Sequence, residues 1–150
     1  MNETQQKNRE RYPFLWPKNP NAVSEPYDYE FTVLDEMPIG WRNAFGLQMC
    51  EEIRNALLHS GGELALNLYQ VEQIKEKFGY LHWYDFYGNK EVDKIVMKYE
   101  DISGRTCIQC GKPATKISTG WVSPFCDDCA EEVVRRMSSL RFIPIEEIRI

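Results

Sequence analysis

Histidine is nearly absent from this chain, with His59 and His82 the only two among 150 residues. Neither lies within residues 104–131, where two cysteine pairs fall. A ββα nuclease also brackets its site with cysteine pairs, but it needs a histidine there to activate water and hold a divalent cation, so that class is disfavoured. Long apolar runs are missing as well. No segment approaches the roughly 18–20 residues of a membrane span, and residues 1–11 (MNETQQKNRER) are polar throughout, unlike a secretory signal. Positive charge is in deficit, with 18 Lys and Arg against 23 Asp and Glu, a net charge of −5. That balance lacks the general attraction to phosphate backbones on which nonspecific nucleic-acid binding depends. There is no Gly-rich phosphate loop, no G-x-S-x-G elbow, no H-E-x-x-H and no deaminase signature. These absences argue against an enzyme and against a DNA-coating protein.

What is present is globular in character. Hydrophobic residues make up 43% and charged residues 27% of the chain, and its length suits one domain with a small appended module. Aromatic residues are plentiful, at 8 Tyr, 7 Phe and 4 Trp, which suggests an aromatic core or a binding face. A cytosolic location is expected, where thiols stay reduced, so the five cysteines do not read as a disulfide framework. Four of them form Cys107-Ile-Gln-Cys110 and Cys126-Asp-Asp-Cys129 with 15 residues between the pairs, the spacing of a four-thiolate zinc site. Gly111, directly after Cys110, permits the tight turn of a metal knuckle. Four sulfurs close the coordination sphere, so one Zn2+ is expected to hold the fold and not to catalyse. Four thiolates and one Zn2+ would together take the net charge from −5 to −7. Residues 107–150 hold six basic and six acidic groups, so no basic domain hides there. Cys50 lies among apolar neighbours and reads as a buried core thiol.

Three prolines in residues 12–20 (YPFLWPKNP) argue for an extended strap, either docked on the domain or presenting an aromatic anchor. Tyr27, Tyr29, Phe31 and Val33 alternate with polar residues, as in a half-buried strand. From Trp41 to about Ser60, Trp41, Phe45, Met49, Ile53 and Leu57 recur every fourth residue, predicting an amphipathic helix stopped by Gly61-Gly62. Residues 63–86 favour a strand at 69–74, a turn over 75–79 and a returning strand at 80–86, with a helix as the alternative. Asn89 can cap a helix carrying Val92, Ile95, Val96, Tyr99 and Ile102 and ending at Ser103-Gly104. A short hairpin is expected around residues 119–122. After it comes a helix starting at Cys129, with a face of Val133, Val134, Met137 and Leu140, and then a strand-like tail. The expected fold is α+β, a small antiparallel sheet with two helices and a C-terminal module of the zinc-ribbon or treble-clef kind. Its divisions are a flexible start at 1–11, an α+β core at 12–103 and a zinc-binding module at 104–150.

Outside the metal site, the strongest constellation is QIKEKFGYLHWY at residues 73–84. Lys75, Lys77, His82, Trp83 and Tyr84 there, with Trp121, have the chemistry to hold an anionic aromatic ligand such as a nucleotide, ammonium on phosphate and ring on base. The alternative is a solvated charged turn over core aromatics, with Trp121 a lid on its hairpin. The same string, followed by TCIQCGKP, Gly120-Trp121 and CDDCA, resembles a widespread family of small bacterial and phage proteins. They share a Q-[IV]-K-E-K-F-G segment upstream of a four-Cys module. YPFLWPKN and DEMPIGW are similar to a phage- and prophage-borne branch, and His82 stands where that pattern has Arg. The resemblance implies a mobile-element setting and the host cytosol, but no activity. The expectation is therefore a zinc-stabilised, non-catalytic binding protein that blunts a host defence by engaging a protein or a nucleotide-like ligand. A nucleic-acid-associated zinc-ribbon regulator and an enzyme of unfamiliar type are the alternatives.

Overall fold

Trp41, Phe45, Met49, Ile53 and Leu57 are all buried, and the chain around them is the longest helical run in the protein. The structure is a computed structural model and describes residues 3–16 and 32–149. Helix α1 (Glu3–Arg11) leads into a 3-10 turn at Pro13–Leu15, and a second 3-10 turn, Val33–Glu36, precedes α2 (Ile39–Trp41). A π turn at Arg42–Gly46 joins α2 to α3 (Leu47–Leu68). The π turn has a packing reason. A strict four-residue repeat drifts around an α-helix of 3.6 residues per turn, and a wider turn absorbs part of that drift. Trp41 and Phe45 therefore stay in line with the stripe below them. At Gly62 the backbone leaves helical geometry (φ 64°, ψ −153°), where a stop was expected, and a short helical stretch continues beyond the kink.

Strands β1 (Gln70–Lys77) and β2 (Tyr80–Phe86) form an antiparallel hairpin whose loop is only Phe78-Gly79. The expected five-residue turn is thus shorter and both strands are confirmed. A two-stranded hairpin is marginal alone, and its edges offer unpaired N–H groups. Side chains from elsewhere seal them. On the β1 edge, Ile74 N donates to Glu36 Oε2 at 3.3 Å. On the β2 edge, Leu81 N donates to Ser103 Oγ at 2.8 Å and Trp83 N to Glu100 Oε2 at 3.0 Å. The two acceptors on that second edge sit on α4 (Lys90–Ser103), which Asn89 caps by accepting from Val92 N at 2.9 Å.

A second sheet, order β4-β3-β5, is built from β3 (Lys116–Ser118), β4 (Pro124–Phe125) and β5 (Phe142–Pro144), all antiparallel. The α+β class holds, with two small sheets in place of the single one expected. Helix α5 (Asp127–Arg136) follows β4, and a 3-10 turn, Ile145–Glu147, follows β5. Val134 and Met137 are exposed, not on the packed face: within α5 the buried side is Cys129, Ala130 and Val133, and Met137 lies past the helix end at Arg136, outside helical geometry (φ −133°, ψ 80°).

Other expectations near the N-terminus shift. Residues 3–11 are helical where a flexible start was expected, and Tyr12 OH and Arg11 both donate to Glu51. Phe14, Leu15 and Trp16 dock in the core, but as a 3-10 turn and not as an extended strap; residues 17–20 lie outside the described residues. Gln70 Nε2 holds this segment by donating to the carbonyls of Phe14 (3.1 Å) and Trp16 (3.2 Å). The strand expected at 27–33 falls outside the described residues except at Thr32 and Val33, where Thr32 caps a 3-10 turn that begins at Val33. Among the described residues no helix is long and apolar enough to cross a membrane.

Trp83 belongs to this core, 5% exposed, and its Nε1 donates to Tyr69 OH at 2.9 Å. Tyr69 OH in turn donates to Asp85 Oδ2 at 2.5 Å, and burial holds the Asp85 carboxyl above its ordinary value. Trp83→Ala is expected to destabilise the protein by about 3–5 kcal/mol. The exposed Tyr84→Ala on the opposite face should cost well under about 1 kcal/mol. Urea denaturation of both variants checks the difference.

Candidate metal centre

The four cysteines converge. The sulfurs of Cys107, Cys110, Cys126 and Cys129 all lie within 4.8 Å of one another, and Cys110 Sγ is 3.6 Å from Cys126 Sγ. Sulfurs placed at about 2.3 Å around one zinc ion form a tetrahedron with edges of about 3.8 Å. The donor set therefore fits a tetrahedral thiophilic ion, zinc above all, with no protein oxygen or nitrogen among the ligands. Cys107, Cys126 and Cys129 are buried and Cys110 is at the surface.

Each pair is shaped by its local backbone. Gly111 N donates to Cys107 O at 3.0 Å and Cys107 N to Lys112 O at 2.7 Å, closing the first knuckle. The second pair sits at the start of α5, where Cys126 is the N-cap and its sulfur accepts from Cys129 N at 3.5 Å. A helix N-terminus favours negative charge, which suits thiolate ligands. The chemistry of the sulfurs agrees. Burial opposes ionisation of Cys107, but amide groups of Cys126, Cys110 and Gln109 outweigh it and hold the thiol below its ordinary value. Burial, and then the neighbouring sulfurs, push Cys129 up. Crowded sulfurs resist sharing negative charge, and a bound divalent cation reverses that preference.

The knuckle rests on α2. Trp41 Nε1 donates to Thr106 O at 2.9 Å and Gly40 N to Ile108 O at 2.9 Å. A Cβ at Gly40 would lie 2.3 Å from Cys107 O and 2.6 Å from the Ile108 carbonyl, so only glycine lets the helix approach this closely. The sequence reads Pro38-Ile39-Gly40 as mere punctuation. Its role in docking the metal knuckle becomes visible only when the partner carbonyls are in place.

The expected ligand residues separate into three places. Lys75, His82 and Tyr84 share the outer face of the β1–β2 hairpin, with Lys75 Nζ 5.5 Å from the Tyr84 ring centre and His82 stacked on Tyr84. Trp83 faces the core instead and cannot join them. Lys77 and Trp121 meet elsewhere, in a cleft of about 270 Å3 between the tips of two hairpins, lined also by Glu76, Phe78, Gly120 and Val122. Trp121 is 77% exposed and so is not a lid over its hairpin. Phe78, which the sequence did not single out, is 71% exposed and has φ 54°, an unfavourable backbone for a bulky residue that costs on the order of 1–3 kcal/mol. Cys50 is fully buried and takes no part in either site.

Arg149 holds the strained turn. Its side chain is buried, with Nη1 donating to Gly104 O at 2.6 Å, Nη2 donating to Phe78 O at 2.9 Å, and the guanidinium 3.9 Å from the Tyr80 ring centre. Gly79 (φ 78°) makes room, since a Cβ there would sit 2.8 Å from Arg149 Nη2 and 3.2 Å from Val122 O. No family model, curated protein or solved structure matches this chain.

The purified protein should carry one zinc per chain by elemental analysis, and chelation should lower the melting temperature by about 10 °C or more. Protons compete with the metal for thiolates, so the zinc-dependent part of the stability is present at neutral pH and is lost as pH falls. Gly40→Ala should reduce both zinc retention and melting temperature, at a cost of about 2 kcal/mol or more, because its nearest obstacles are backbone atoms. Parallel metal analysis and thermal melts check both.

Proposed function

We propose that this chain is a non-catalytic binding protein whose C-terminal unit, residues 104–150, is held together by one structural zinc ion. The observation that carries the reading is the closed donor set, four mutually close sulfurs that fill a tetrahedral ion's coordination sphere and leave no position for water or substrate. The order knuckle, β-hairpin, then a helix bearing the second pair supports a treble-clef-like module over a zinc ribbon. The binding role draws support from the exposed rings of Phe78 and Trp121 beside Lys77. The resemblance to phage- and prophage-borne proteins supports a setting in which such binding blunts a host defence. A nucleic-acid regulator is the weaker reading. Of the cations it would recruit, Lys112, Lys116, Arg135 and Arg136, Lys116 is paired with Asp127 at 3.8 Å and Arg136 with Glu132 at 3.6 Å.

Metal substitution tests the proposal. Co2+ should give the visible spectrum of a tetrahedral tetrathiolate, unchanged by added azide or cyanide, and Cd2+ should restore full stability. Anion-dependent spectral changes would reveal an open coordination position and overturn the non-catalytic reading.

A further inference from the structure

We infer that the cleft between the two hairpin tips binds a mononucleotide, with its base between Phe78 and Trp121 and its phosphate on Lys77. The inference rests on the binding-protein reading and names its ligand class.

Three observations point this way. The rings of Phe78 and Trp121, 71% and 77% exposed, line one cleft from two separate hairpins and do not pack on each other. Two exposed aromatic rings lining one open slot suit a flat heteroaromatic ring. Next, Lys77 lines the same cleft and makes no ion pair among the described residues, leaving its ammonium available to an anion. Finally, the turn is built to present Phe78. A two-residue hairpin loop with positive φ at both positions favours Asn-Gly. Phe78 occupies the first position despite its strain, while Arg149 clamps its carbonyl and Glu76 Oε1 accepts from Gly79 N at 2.7 Å. A strained, exposed ring held from two sides is a feature the fold itself does not need.

Size and charge select within the class. A volume of about 270 Å3 falls just below the roughly 300–1,000 Å3 of sites for drug-sized ligands, and it suits one base and its sugar, not a peptide segment. Glu76 also lines the cleft, and the whole chain carries −5, so a polyanionic strand is repelled where a single phosphate is tolerated. The second Glu76 oxygen can accept from a base's exocyclic amine, favouring adenine or guanine over uracil.

Trp16, Trp41 and Trp83 are buried, so Trp121 is the one tryptophan whose fluorescence a surface ligand can quench. Zinc-loaded full-length protein would be titrated with AMP, GMP, UMP, adenosine, inorganic phosphate and a short single-stranded oligonucleotide. AMP and GMP should quench saturably, adenosine several-fold more weakly, and phosphate alone not at all. Lys77→Ala should bring AMP down to the level of adenosine. Phe78→Gly should weaken AMP binding by about tenfold or more while raising the melting temperature, because it removes a ring and a strained φ together. A purely structural Phe78 would show only the second effect, and that result would overturn the inference. So would the lack of saturable quenching at millimolar AMP, or an oligonucleotide binding far more tightly than AMP. Zinc content and melting temperature, measured on the same samples, separate failure of this cleft from failure of the metal reading.

Discussion

Two hydrophobic clusters share one wall, and the three-residue helix α2 builds it. Gly40 and Trp41 donate to the carbonyls of Ile108 and Thr106, the two residues that flank Cys107. Trp41 has no exposed surface, and Ile108 packs against both the aromatic core and the cluster around the cysteines. The first cysteine knuckle is therefore a continuation of the core and not a bead on a tether. Folding free energies of about 5–15 kcal/mol are no larger than the roughly 10–16 kcal/mol of a structural zinc site. A cage fastened to the core through α2 accordingly couples the state of its sulfurs to the stability of the whole chain.

Features set by local chemistry were readable in the sequence. The α3 stripe, the Asn89 cap, both hairpin strands and the two cysteine pairs follow from side-chain period, capping and ligand spacing alone. Features set by distant partners were not. The acceptors that seal the β1–β2 edges, Glu36, Ser103 and Glu100, lie 38, 22 and 17 residues from the amides they satisfy. The misgrouping of the ligand residues has a simpler cause. Alternation along β2 identifies two sets of side chains, yet it does not say which set faces the core. His82 and Trp83 are neighbours in sequence and so must point to opposite faces, one half-exposed and one buried. On α5, the expected face extended past the end of the helix, and Met137 moved off it for that reason.

Arg149 shows how the distant end of the chain reaches the hairpin. A buried guanidinium with no carboxylate partner among the described residues is an expensive group, and burial pushes its pKa below the ordinary value. Its compensation comes from two carbonyls and an aromatic face, drawn from the end of α4, the Phe78 turn and Tyr80. Replacing it with an apolar side chain would leave the Phe78 and Gly104 carbonyls without these donors, so its value lies in joining elements rather than in charge.

That joint ties the surface to the four-cysteine cluster. The tail reaches the hairpin only after β5 has paired with β3, and β3 also pairs with β4, the strand that ends one residue before Cys126. The path from the sulfur cage to Phe78 is thus continuous, running through β4, β3 and β5 to Ile145 and Arg149. Ile145 N donates to Thr115 O at 3.0 Å and Arg149 N to Ile145 O at 2.8 Å, which fixes the tail before its side chain enters the socket. A turn with an unfavourable φ persists only when its surroundings over-determine it. Here those surroundings include Arg149, so the exposed ring is presented by a structure that the four-cysteine cluster helps to complete.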